Sequence, residues 1–170
     1  KIKSENGKIV KFKARLVAKG FTQIWGVDFD ETYSPVVSYP TLRVLIALCA
    51  QTGTPIKHCD IGNAYLKASL QAEHLIYMEQ PPGFEIPGPK GEKLVCKLNK
   101  SLYGLKQAGR EWNGMLNQFL IAYGFTRSKT DPCLYNMSVG EEFIAIVLWV
   151  DDIFGGSSNY ALWDSLVTAL

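Results

Sequence analysis

Phe143 to Val150 is a run of eight apolar residues that stops on two adjacent acids, Asp151 and Asp152, and is followed by Ile153, Phe154 and the pair Gly155-Gly156. The run is far below the roughly 20 residues of a membrane-spanning helix. Its β-branched and aromatic content and the preceding Gly140 make it a strand. A second β-rich run, Cys133 to Val139, lies just before Gly140, so the two read as antiparallel neighbours in the middle of a sheet. After the acids the chain turns back. The expectation is a hairpin in a sheet interior with two carboxylates at its tip.

Elements with the helical and the strand period interleave along the rest of the chain. Asn6-Gly7 signals a hairpin turn, and Lys8 to Lys19 alternates with the strand period, placing Lys11, Lys13 and Arg15 on one face and Phe12, Ala14 and Leu16 on the other. Ser38 is a candidate N-cap for a helix with Pro40 in its first turn, an apolar stripe of Leu42, Leu45, Ile46 and Cys49, and Gly53 as its stop. Pro55 to Asp60 reads as a short strand ending on an acid, and Gly62 to Tyr65 as a tight turn or short helix. Leu75 to Met78 and Lys93 to Leu98 are strand candidates, separated by a loop that Pro81-Pro82-Gly83 enforces. The strongest helix runs from about Lys106 to Tyr123, with Ala108, Trp112, Met115, Leu116, Phe119 and Tyr123 on one stripe and Gly124 beyond it. Asn159 caps a last helix bearing Leu162, Leu166 and Leu170. The class is α+β in a single domain.

Composition narrows the function classes. A hydrophobic share of 47% and a charged share of 20% are those of a globular chain with a buried core. Cys49, Cys59, Cys96 and Cys133 form no Cys-x-x-Cys pair and sit among apolar neighbours, which predicts reduced core thiols and an intracellular setting. The first residue is Lys1 and its neighbours are polar, so no signal peptide is read there. The net charge of +2 hides two basic stretches: residues 1 to 19 hold seven Lys/Arg against Glu5, and residues 90 to 110 hold six against Glu92. Either stretch suits phosphate, and a plain solvated surface is the alternative.

Adjacent carboxylates repel, and divalent cations offset that repulsion. Hard Mg²⁺ prefers a few carboxylate oxygens and leaves sites open for phosphate. An ordinary Asp-containing turn is the plain alternative for Asp151-Asp152 alone. Asp60 adds a carboxylate from a second strand, as a two-metal phosphoryl-transfer site requires. The cationic face bearing Lys11, Lys13 and Arg15 would then meet the phosphates. His58 and His74 are read as packed or surface residues without a role, and an unrelated Mg²⁺ phosphohydrolase remains open at this point.

Five segments in order resemble the Ty1/copia reverse transcriptase family and together extend over nearly the whole chain: Lys13 to Phe21 with Thr32 to Val37 and Arg43, Asp60 to Leu66, Tyr77 to Phe84, Leu98 to Trp112, and Trp149-Val150-Asp151-Asp152. The chain departs from the family pattern in Trp149 for the usual Tyr, Gly109 for the usual Pro, and Tyr65 for the commoner Phe. The resemblance implies polymerase fingers and palm, with an antiparallel palm sheet backed by helices. About 1–55 would be fingers-like, 56–80 palm, 81–110 a pocket segment, and 111–170 a palm cut short.

It further implies an RNA- and DNA-directed DNA polymerase. Asp60 and Asp151, with the Ile61 carbonyl, would hold two Mg²⁺ ions (Mn²⁺ as a substitute), with Asp152 in support. Tyr65 would lie under the incoming sugar and exclude a 2′-hydroxyl. Lys13 and Arg15 would reach the triphosphate, Tyr103 would line the pocket, and Gly104 would let the backbone approach the substrate. The implied partners are a primed RNA or DNA template, deoxynucleoside triphosphates, and the integrase and RNase H parts of a polyprotein. No membrane is involved, and the implied location is a cytoplasmic virus-like particle. A catalytically silent remnant that at most binds nucleic acid is the alternative.

Overall fold

The computed structural model describes residues 2–5, 8–12, 14–70 and 75–170. Asn6, Gly7, Lys13 and His74, all singled out above, lie outside the described residues, as does the side chain of Lys11.

The N-terminal hairpin pairs β1 (Ile2–Glu5) with β2 (Lys8–Phe12), Glu5 opposite Lys8. The alternation expected to continue to Lys19 is not a strand beyond Phe12. Residues 14–19 leave the ladder because the chain docks elsewhere, with Ala18 N–H donating to the Tyr103 carbonyl at 2.7 Å. A single 3₁₀ turn follows at Gly20–Thr22.

Helix α1 (Tyr39–Thr52) starts and stops as its sequence dictates. The Ser38 hydroxyl accepts from Thr41 N–H, Pro40 occupies the first turn, and Gly53 closes the helix at φ 66°. Strand β3 (Ile56–Asp60) ends on the acid, and the next segment is a one-turn helix, α2 (Ala64–Lys67), entered through Asn63 at φ 57°. The expected strands near 75 and 93 form a three-rung ribbon of β4 (Tyr77–Glu79) and β5 (Val95–Lys97). The long helix is α3 (Ala108–Tyr123), and Gly124 stops it at φ 115°. Then come β6 (Thr126–Arg127), which the sequence did not signal, β7 (Leu134–Val139), β8 (Glu142–Trp149), β9 (Asp152–Ser157) and α4 (Tyr160–Ala169), capped by Asn159.

Five strands form one antiparallel sheet in the order β3-β9-β8-β7-β6. Side chains alternate across it. A Cβ on Gly155 would meet Trp163 of α4 at 2.9 Å, and one on Gly156 would meet Cys49 of α1 at 2.4 Å, so α4 and α1 cover opposite faces. Helix α3 shares the α4 side: Tyr123 donates to Ser165, and Asn117 accepts from Tyr135 opposite Ile146. The main core lies between these layers, with Leu120, Tyr135, Ile144, Ile146 and Leu166 fully buried. Lys57 faces α4, its ammonium 3.3 Å from the Tyr160 ring centroid, a cation–π contact that offsets its burial. A smaller cluster of Ala18, Ile76, Leu105 and Ala108 ties residues 14–19 to β4 and the start of α3.

The four cysteines are unpaired, as expected, and burial pushes the Cys133 thiol up to about 11. Among the described residues Asp131 is the one buried acid. Its Oδ2 accepts from Ser38 N–H at 3.0 Å and its Oδ1 from Cys133 N–H at 2.9 Å. Burial pushes this carboxyl up, but hydrogen bonds from Thr41, Ser38 and Cys133 outweigh it and hold the group below its ordinary range. Stability from Asp131 is therefore complete above its unfolded value of about 4 and is lost as pH falls through the lower folded value. Asp131→Ala leaves the buried Cys133 N–H and the part-buried Ser38 N–H without their acceptor, so urea denaturation at pH 7 is expected to show a loss of about 2 kcal/mol. The loss should shrink below pH 4.

Candidate active site at the β3–β9 edge

The two acids of the hairpin do not share one tip. Val150 and Asp151 occupy the turn, while Asp152 is the first residue of β9 and pairs with Trp149 on one side and Asp60 on the other. This corrects the expected arrangement. The reason is the two-residue loop, which returns the chain to the ladder immediately after Asp151. The turn is tight: Val150 has φ 58°, a left-handed conformation that a β-branched residue adopts only under constraint. Part of that constraint is Trp112 of α3, whose buried indole N–H donates to the Val150 carbonyl at 2.7 Å.

Asp60 is brought to the same place by the β3–β9 register. Asp60 stands opposite Asp152, and Ile61 N–H donates to the Asp151 carbonyl at 2.9 Å. Backbones from opposite ends of the sequence are thus locked together beside all three acids. Directly opposed like charges are unfavourable in a sheet. His58, two residues before Asp60 and so on its face, offsets part of this: its Nε2 lies 2.6 Å from Asp152 Oδ1, and its ring stacks on Phe154 at 4.6 Å. His58, set aside at the sequence level, belongs to the site. The strand period could have shown that it shares a face with Asp60, but its pairing with Asp152 depended on a register no local signal gives. Trp112 left no such signal, since an apolar stripe does not reveal where an indole N–H ends.

Asp60 and Asp152 lie on the α1 face of the sheet, where the strands end. Trp149 shares that face and packs against Tyr39 with centroids 6.3 Å apart. Among the described residues neither the Asp60 nor the Asp151 carboxylate has a hydrogen-bond or ion-pair partner. Nor is any group of three or more His, Cys, Asp or Glu side chains among the described residues placed to hold a metal ion. The donor types nonetheless suit a hard divalent cation: Asp60 at the end of β3 and Asp151 in the adjoining turn carry carboxylates without partners among the described residues, while Asp152 is turned toward His58.

Tyr65, on α2, is half-buried beside the acids. Burial raises its phenol above the ordinary range, and the negative charge of Asp151 raises it further. Tyr103 meets it edge-on, centroids 5.1 Å apart, and the Arg15 guanidinium lies 5.2 Å from the Tyr103 centroid. Arg15, Tyr103 and Tyr65 are thus in consecutive contact, and Tyr65 is the member that feels the charge of Asp151. Gly104 adopts φ +93°, and a Cβ there would come within 2.2 Å of the Ala18 carbonyl oxygen. The close approach that this glycine permits is to the chain itself, not to open space.

Trp112→Phe keeps most of the packing and removes the donor that fixes the turn. It is expected to cost about 2 kcal/mol in denaturant unfolding, from the unpaired Val150 carbonyl and the lost ring volume.

A family model described as reverse transcriptase (RNA-dependent DNA polymerase) matches residues 1–169. The chain is 46% identical over 147 residues to the retrovirus-related Pol polyprotein from transposon TNT 1-94 of Nicotiana tabacum, covering 86% of this chain and 11% of that protein. Against the corresponding polyprotein from transposon RE1 of Arabidopsis thaliana it is 39% identical, over 88% of this chain and 10% of the relative. Against the transposon Ty1-H Gag-Pol polyprotein of Saccharomyces cerevisiae the figures are 30%, 93% and 8%. The chain spans about a tenth of the length of these relatives. No solved structure matches it. No helix among the described residues is long and apolar enough to cross a membrane. With a family match over residues 1–169 and relatives 46% and 30% identical over most of its length, the chain belongs to the reverse transcriptase family, in the branch found in Ty1/copia-type retrotransposon Pol polyproteins.

Proposed function

We propose that this chain carries the catalytic acids of an RNA- and DNA-directed DNA polymerase, joining a deoxynucleoside triphosphate to a primer 3′-hydroxyl with release of pyrophosphate. The observation that supports the reading is the pairing of Asp60 with Asp152 and of Ile61 N–H with the Asp151 carbonyl, which brings the backbones that bear all three acids together. Residues 56–80 and 111–170 act as palm. Residues to about 55 act as fingers, and 81–110 close the pocket between them.

Asp60 and Asp151 are the residues that would hold Mg²⁺, with the Ile61 carbonyl as a further oxygen donor and Asp152 supporting from its contact with His58. When bound, a pair of such ions supplies charge neutralisation at the attacking and leaving oxygens of the phosphoryl group. The protein's share is positioning. Tyr65 presents its ring beneath the incoming sugar, Tyr103 lines the same pocket, and Lys13 and Arg15 meet the triphosphate. Gly104 lets the fingers segment seat against the pocket. Template and primer are held through their phosphates, so affinity falls as salt rises. Integrase and RNase H parts of a polyprotein are the natural neighbours, in a cytoplasmic particle.

Primer extension on RNA and DNA templates with Mg²⁺ or Mn²⁺ tests the reading, with any naturally flanking sequence retained. Deoxynucleotide incorporation is expected on both templates. Nucleic-acid retention in a gel shift without incorporation under any condition would instead mark a silent remnant.

A further inference from the structure

Three side chains run in file from the fingers segment to the acids. Arg15 lies over the Tyr103 ring at 5.2 Å, Tyr103 meets Tyr65 at 5.1 Å with the rings inclined at 64°, and Tyr65 stands within the field of Asp151. The middle member is the most firmly held. The Tyr103 carbonyl accepts from Ala18 N–H at 2.7 Å, and the next residue, Gly104, is wedged against the Ala18 carbonyl. Backbone directly after the ring is therefore fixed by the docked 14–19 segment. Tyr65 is held less well from its own side, because α2 is a single turn with no side-chain cap, and an isolated turn has little stability of its own. Its ring direction is set by what it packs against. Edge-to-face contacts of this kind are directional, so moving one ring moves the other.

We propose that Tyr103 is a positioning residue for sugar selection: clamped between Arg15 and Tyr65, it fixes the height of the Tyr65 ring, so that rejection of a 2′-hydroxyl depends on Tyr103 without Tyr103 touching the sugar. The inference rests on the reading that Tyr65 lies beneath the incoming nucleotide. It adds a second residue, distant in sequence, to the discrimination, and it links the fingers segment to that discrimination through Arg15.

The test is the ratio of kcat/KM for a deoxynucleotide to that for the matching ribonucleotide in single-nucleotide primer extension, with naturally flanking sequence retained. Tyr103→Leu, which removes the edge-on partner, is expected to lower the ratio about tenfold or more, mainly through improved use of the ribonucleotide. Tyr103→Phe keeps the ring and should keep the wild-type ratio, a rescue that a general structural defect would not give. Should circular dichroism show Tyr103→Leu unfolded, Tyr103→Met takes its place with the same expectation. Deoxynucleotide extension by the leucine or methionine variant with an undiminished ratio overturns the inference alone. Absence of any extension by the wild type overturns the polymerase reading and the inference with it.

Discussion

Asp151→Asn is expected to lower primer extension by about 10³-fold while leaving the melting transition in place or slightly higher, a result to be read from initial rates and thermal denaturation of the same samples. The two halves of this expectation come from one fact. The Asp151 carboxylate sits in a two-residue turn with no hydrogen-bond or ion-pair partner among the described residues, so the folded state gains nothing from its charge. It also lies beside Asp60 and Asp152, and removing one of three neighbouring negative charges relieves repulsion. Asparagine fits the same turn and keeps an oxygen. What it loses is the formal charge through which the site would attract a divalent cation. Asp60→Asn should behave in the same way. Loss of activity together with loss of fold would contradict the view that these carboxylates are unpartnered, and full activity in either variant would remove the catalytic reading.

Gly104→Ala is expected to cost roughly 3 kcal/mol or more and to release residues 14–20 from residues 103–104. Two penalties coincide. At φ +93° any L side chain is strained, and the new Cβ would lie 2.2 Å from the Ala18 carbonyl oxygen, a backbone atom that no rotamer change can move. The neighbouring Gly20 faces the same interlock from the other side, its Cβ position 1.9 Å from the Gly104 carbonyl oxygen. Relief requires residues 17–20 to separate from 103–104, breaking the Ala18–Tyr103 hydrogen bond and with it the seat of Arg15 over Tyr103. Limited proteolysis should then show faster cleavage within residues 14–30 than in wild type, alongside a lower denaturation midpoint. A variant as stable and as resistant as wild type would show that the two segments adjust more easily than the backbone contact allows.

Local chemistry made much of this protein readable before its coordinates. Ser38, Pro40 and Gly53 bounded α1, Gly124 ended α3 and Asn159 began α4, because caps and stops act over one or two residues and carry their own signatures. The apolar run to Trp149 announced a central strand, and its β-branched content excluded most alternatives. Short-range signals failed where partners decided the outcome. Residues 14–19 have strand alternation but dock on Tyr103 instead of extending β2, and β6 is a two-residue pairing that exists only because β7 is beside it.

The sequence by itself determined which residues have the chemistry: three acids after or within β-forming runs, a tyrosine five positions after the first acid, and basic residues in the N-terminal stretch. It also determined the family, through motifs whose order and spacing survive in the chain. Only the tertiary structure decided that Asp60 lies across from Asp152, that His58 holds Asp152, that Trp112 pins the Val150 turn, and that Arg15, Tyr103 and Tyr65 form one file. The physical reason is that strand register and helix docking are set by the total burial of the sheet. A pairing slipped by one residue would leave every local signal unchanged and turn the acids to the opposite face.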